Sequence, residues 1–151
     1  EISRAVVQYR ERYASEGRKL PAPLYDGMRE TLMVLKKLQF RLAVATLKHE
    51  RFIHGMLEDN DIDGLFDAVC AYTGSETKSS LLRKACTLTE VSPEESLLVG
   101  DSAYDGKGAK EVPMDFAAVL YGWGFRQKEE TAPYAPVMVL NRPAELLAAL
   151  K

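Results

Sequence analysis

Cysteine is scarce in this 151-residue chain: Cys70 and Cys86 stand alone, each in an apolar run, with no Cys-x-x-Cys spacing. That argues against a disulfide framework or a cysteine zinc site, and both thiols are expected as small buried hydrophobes in a reducing compartment. Long apolar runs are also missing. None approaches the about 18 residues that a membrane-spanning helix needs. No charge of one sign dominates, because 20 Lys+Arg stand against 22 Asp+Glu for a net −2. Such a balance argues against a nucleic-acid-binding surface. Only two histidines occur, and His49 and His54 lie too far apart for the i, i+4 spacing of ligands on one helix face, so surface or packing roles are expected. The chain opens on Glu1-Ile2-Ser3 with no charged-then-apolar leader, and a cytoplasmic location is the expectation.

The composition that remains, 46% hydrophobic and 28% charged, fits one globular domain with a real core. Residues 2 to 16 mix Val6, Val7, Tyr9 and Tyr13 with polar residues as a helix would, and Gly17 and Pro21-Ala22-Pro23 break it. Met28, Leu32, Leu35 and Leu38 recur at helical spacing, which predicts a helix from Gly27 to Leu38. Short apolar runs at Leu42–Ala45, Phe66–Tyr72, Ser96–Val99, Phe116–Tyr121 and Val137–Leu140 read as buried strands. Between them lie helical stretches at Glu50–Glu58, Lys78–Leu88 and Ala103–Glu111, and Pro143 is placed to open a closing helix to Leu150. This alternation implies an α/β fold, an open parallel sheet of Rossmann-like kind with helices on both faces.

Ligands of such sheets bind beyond the carboxyl ends of the strands. The polar residues there are Thr46, the Thr73–Lys78 segment, Gly100-Asp101-Ser102 and the Tyr121-Gly122-Trp123-Gly124 turn. A hydroxyl and a helix N-terminus can hold phosphate oxygens, a lysine can neutralise a transferring group, and Asp101 with Asp105 can hold a hard cation such as Mg²⁺. Each residue also has a plainer reading. Thr46 could cap the following helix, Lys48 and Lys78 could be solvated, and Asp101 and Asp105 could be a cap and a surface side chain. Trp123, between two glycines, reads as a mobile flap or as packing over the sheet edge.

Taken in order, these positions resemble the haloacid dehalogenase superfamily, in its phosphoglycolate-phosphatase-like branch. Leu42-Ala43-Val44-Ala45-Thr46 is similar to that family's second motif, Lys78 to its third-motif lysine, and Gly100-Asp101-Ser102-Ala103-Tyr104-Asp105 to its GDxxxD fourth motif. Gly108-Ala109-Lys110 and Tyr121–Gly124 follow in the branch's order. The resemblance implies a magnesium-dependent phosphomonoester hydrolase acting through an aspartyl-phosphate. Thr46 and Lys78 would be catalytic, Thr46, Lys48 and Lys78 would bind substrate, and Asp101 and Asp105 would hold Mg²⁺. The implied partner is a small phosphorylated metabolite, with neither nucleic acid nor membrane.

The family's first motif, hhhDxDGT, which carries the nucleophile, does not occur in these residues. Asp61-Ile62-Asp63-Gly64 imitates it, but no apolar strand precedes it and no Thr follows. The same stretch imitates the start of a calcium loop, where position twelve would be Cys70 instead of Glu. By the resemblance, residues 1–20 would be the end of a helical cap, and 21–151 a core without its first, central strand. Leu42–Ala45 and Ser96–Val99 would then face an empty slot, to be filled by other residues or another chain, or closed by direct pairing. Alone, the chain is expected to be inactive and poorly folded. The alternative is a nucleophile-less module that binds a phosphorylated ligand or a protein.

Overall fold

The structure, a computed structural model, describes residues 22–150. The helix expected over 2–16, and with it the cap assignment of 1–20, lies outside the described residues. Helix α1 spans Met28–Lys37 and starts at Gly27, whose φ of 76° suits glycine. Lys36 and Lys37 in its last turn complement the helix dipole. Strand β1 (Ala43–His49) leads to α2 (Glu50–Asp59), and β2 (Ala68–Tyr72) leads to α3 (Lys78–Thr89). Then follow β3 (Leu97–Gly100), α4 (Ala103–Glu111), β4 (Asp115–Val119), β5 (Met138–Leu140) and α5 (Glu145–Ala149). A 3₁₀ segment at Lys128–Tyr134 has no counterpart in the periodicity reading, because its Pro133 and charged residues carry no apolar stripe.

Strand β1 is longer than expected and includes Thr46. Its pairing with β2 is regular from Ala43 opposite Ala68 to Thr46 opposite Ala71, then slips before His49 meets Tyr72. Thr46 is therefore the last residue in regular register, so its hydroxyl leaves the sheet where the ladder ends. Of the two thiols, Cys70 is fully buried as expected, whereas Cys86 is only half-buried on α3.

The larger departure is in the sheet. The described strands form two parallel sheets, β1-β2 and β3-β4-β5, instead of one. Among the described residues β1 and β3 do not pair, and no described strand covers the free edge of either. Burial follows this arrangement. β2 and β4 are largely buried, while Leu47 on β1 and Val99 on β3 are each 38% exposed. Inner strands of a parallel sheet are normally covered on both faces, so these two behave as edges.

Helix α1 spans the halves. Leu35 belongs to the core of Ala117, Val119, Leu140 and Leu146, while Leu32 packs with Ile53, Leu57, Ile62 and Ala71 against the first sheet. The end of α1 is stapled by Asp67. Its carboxylate accepts from Lys36 at 2.9 Å, from Arg41 at 3.3 Å and from the Leu42 N–H at 2.8 Å. The Lys36 bond first, then that from Leu42, holds the carboxyl down at about 2, against an ordinary 3.8. A depressed carboxyl stabilises the fold above its ordinary value and loses that contribution as pH falls through the folded one. Asp67→Asn should cost about 1–2 kcal/mol at neutral pH and flatten the loss of stability between about pH 4 and pH 2. Thermal unfolding across that range checks it; an unchanged acid limb would show that the staple contributes nothing.

Candidate active site

Each candidate residue stands at the carboxyl end of a strand or in the first turn of the helix that follows. Lys78 opens α3, where the Thr77 hydroxyl accepts the Ser80 N–H and Ser80 answers on the Thr77 N–H. Its side chain leaves α3 toward the open slot. There Nζ donates to the Ala45 carbonyl at 2.7 Å and pairs with Asp105 Oδ1 at 2.8 Å. The side chains of Lys78 and Asp105 are 13% and 10% exposed. A buried pair of this kind holds only with good geometry and further hydrogen bonds. Those bonds are present, since Asp105 Oδ2 accepts from the Ser102 hydroxyl at 2.7 Å and the Ser102 N–H at 3.1 Å. Close approach is permitted by missing side chains. A Cβ on Gly100 would sit 2.5 Å from that of Asp105, and one on Gly108 would sit 2.5 Å from Lys78 Cγ.

Asp101 is placed differently. Its Oδ2 accepts from the backbone N–H of Trp123 at 2.7 Å and of Gly124 at 3.0 Å, and its Oδ1 has no hydrogen bond to any described residue. The sequence reading paired Asp101 and Asp105 as cation ligands. In the fold one carboxylate has both oxygens engaged, and the other keeps one outward. Among the described residues no three His, Cys, Asp or Glu side chains converge as a metal cage. Mg²⁺ needs no such cage, since it retains waters and is commonly held by one or two carboxylates. The hard, unengaged oxygen of Asp101 fits that ion as one ligand of several.

Thr46 Oγ1 accepts the Lys48 N–H at 3.0 Å, which leaves the hydroxyl proton for an external acceptor. It is not a helix cap. That task falls to His49, whose Nδ1 accepts the Arg51 N–H. Lys48 is half-buried two residues further on. Asp61 and Asp63 lie at an exposed turn and a 3₁₀ segment ahead of β2, far from the form of a nucleophile strand. Trp123 is 83% exposed, so its ring does not pack over the sheet edge.

Two residues lie inside the strand-end segments named from the sequence but received no role of their own there. Glu76 folds back so that its carboxylate accepts from the N–H groups of Thr73, Gly74 and Ser75, and from the Thr73 hydroxyl. The Thr73 hydroxyl bond first, then these N–H groups, holds the carboxyl down at about 2. Glu76 thereby shapes the loop that delivers Lys78, and its only sequence signal is a Glu three residues after a Thr in a Gly-Ser turn. Tyr121 lies edge-to-face with Tyr25 at 5.1 Å, and its hydroxyl is pushed up to about 12, chiefly by burial and then by Tyr25 and Asp101.

The arrangement has relatives. The sequence profile of the haloacid dehalogenase-like hydrolases matches residues 2–119. A pyrophosphatase, PpaX, of Bacillus cereus is 29% identical over 129 residues, which are 83% of this chain and 59% of that protein, so the chain spans less than two thirds of that relative's length. The haloacid dehalogenase-like hydrolase SP0104 of Streptococcus pneumoniae superposes with a TM-score of 0.90 at 25% identity, covering 99% of this chain and 70% of that one. A predicted phosphoglycolate phosphatase of Haemophilus somnus, 24% identical, shares the fold with a TM-score of 0.80 over 92% of this chain and 62% of its own. With that profile matching 118 of its 151 residues, the chain belongs to the haloacid dehalogenase-like hydrolases.

Proposed function

We propose that this chain forms the larger part of the core of a magnesium-dependent phosphomonoester hydrolase. Its nucleophilic carboxylate would be carried on a strand seated between β1 and β3. The observation that carries the reading is the Lys78 ammonium, held at 2.7 Å from Ala45 on one side of the slot and 2.8 Å from Asp105 on the other. A cation buried at the mouth of an open slot is placed to neutralise both an attacking carboxylate and the phosphoryl group it takes up. The Thr46 hydroxyl would donate to a phosphate oxygen, with the Lys48 ammonium adding charge beside it. The carboxylate attacks phosphorus, the P–O bond to the leaving group breaks, and the departing alkoxide takes a proton from solvent to leave as the alcohol. Water then cleaves the acyl phosphate, releasing inorganic phosphate and restoring the carboxylate. Asp101 would hold Mg²⁺, which when bound withdraws charge from the transferring oxygens. Asp105 holds the Lys78 ammonium in place. The substrate would be a small phosphorylated metabolite.

Because Lys78 and Asp105 are paired and buried, deleting the ammonium also leaves a carboxylate without its counter-charge, at about 3–5 kcal/mol. Lys78→Met should therefore lose both activity and thermal stability. Lys78→Met/Asp105→Asn should recover much of the stability and none of the turnover, the catalytic share being worth about a hundredfold or more in kcat. Steady-state hydrolysis of p-nitrophenyl phosphate with parallel thermal unfolding separates the two effects. Turnover at the wild-type rate in the double variant would refute the charge-neutralising role.

Asp101→Asn in the full-length protein should lower kcat strongly and shift the Mg²⁺ requirement to higher concentration. Activity with unaltered Mg²⁺ dependence would remove Asp101 from the metal site. Expressed by themselves, the 151 residues should bind a phosphate ester weakly and turn none over. Turnover by them alone would place the nucleophile within this chain. A full-length protein that binds phosphate esters and never hydrolyses them would instead favour a binding module without a nucleophile.

A further inference from the structure

After β4 ends at Val119 the chain passes Leu120 and Tyr121 and doubles back over Asp101. Three consecutive backbone N–H groups then converge on that one residue. Those of Trp123 and Gly124 donate to the same carboxylate oxygen, Oδ2, at 2.7 and 3.0 Å, and that of Phe125 donates to the Asp101 carbonyl at 2.7 Å. The turn is anchored from below, because Phe125 is buried among Ala109, Phe116 and Ala118. The glycines on either side of Trp123 are there for room and not for backbone freedom, since neither has a positive φ. A Cβ on Gly122 would lie 2.3 Å from Asp101 Oδ2 and 2.4 Å from its Cβ, and one on Gly124 would lie 2.1 Å from the Asp101 carbonyl oxygen.

From this we infer that the Gly122-Trp123-Gly124 turn is a clasp that sets the orientation of the Asp101 carboxylate for a divalent cation, with Gly122 and Gly124 as positioning residues. The inference rests on the reading of Asp101 as a cation ligand. Two donors on one oxygen fix the rotation of the carboxylate and use up Oδ2, so Oδ1 is presented alone and the residue serves as a one-oxygen ligand. Partners of this kind behind a metal ligand typically change affinity 10- to 100-fold when disturbed. The Trp123 side chain takes no part, since the residue contributes through its N–H while the ring stands in solvent.

Gly122→Ala is the informative change, because the three atoms nearest its Cβ all belong to the Asp101 side chain. Calorimetric titration of the full-length protein with Mg²⁺ alone, without substrate, should show wild-type binding, none in Asp101→Asn, and affinity at least about tenfold weaker in Gly122→Ala. Turnover of Gly122→Ala should recover at saturating Mg²⁺, which a general loss of structure would not allow. Wild-type affinity in Gly122→Ala overturns the clasp and leaves the cation reading intact. Absence of binding in the wild type, or binding that survives Asp101→Asn, overturns the cation reading and the clasp with it. Should Gly122→Ala not fold, the exchange Asp101→Gly/Gly122→Ala decides, since it removes the atoms that the new Cβ strikes. Restored folding supports the clasp, and a second failure overturns it.

Discussion

The Lys78 ammonium is the contact on which the arrangement turns. No backbone hydrogen bond joins the β1-β2 sheet to the β3-β4-β5 sheet. Lys78 belongs to α3, which packs on β1 and β2, and its ammonium donates to the carbonyl of Ala45 within β1. Its second partner, Asp105, belongs to α4, which packs on β3 and β4. One cation thus links the two sheets, beside the direct packing of α3 on α4. A point charge on a flexible stem suits this task, because it donates to a carbonyl and a carboxylate in different directions, where a guanidinium prefers a planar, two-pronged partner. Burial then makes the pair mutually obligatory, since neither charge can be left alone in a medium that solvates it poorly.

Among the described residues, no strand pairs with the free edge of β1 or of β3. Each edge strand presents a row of N–H and C=O groups, which water can satisfy but which a further strand would satisfy with burial besides. Val99 and Leu47 point the same way, as apolar residues 38% exposed on strands that a complete parallel sheet would cover. A strand entering the slot would bring its last residue beneath Lys78 and between Thr46 and Asp101. On the function proposed above, fold completion and site completion would be one event.

Much of this was legible in the residues alone. The strand and helix order, the α4 bounds and the strand-end positions of Thr46, Lys78 and Asp101 all follow from apolar runs bounded by polar turns. What escaped was whatever depends on approach in space. Asp105, four residues after Asp101, reads from its spacing as a second cation ligand, and only the fold adds that its oxygens meet Lys78 and Ser102. Thr46 reads as a residue just after a strand, whereas the ladder runs through it and slips beyond. The division into two sheets was a matter of pairing, which apolar runs do not encode. Glu76 escaped because its work is local: it closes its own loop on backbone donors, a role that many residue pairs could fill.

The glycines show most directly how the site is specified by what is left out. Gly100 faces Asp105, Gly108 faces the stem of Lys78, and Gly122 and Gly124 face Asp101, each at a distance where a single methyl group would collide. None of the four has a positive φ, so no turn demands them. Close packing around charged groups does, because a carboxylate or ammonium taken from water must meet its partners at hydrogen-bond distance, and backbone donors reach that distance only where no side chain intervenes. Glycines beside strand ends can therefore mark where charge is buried and aimed. Between two such glycines Trp123 is free to point outward, because the clasp uses its backbone N–H and leaves the ring unconstrained.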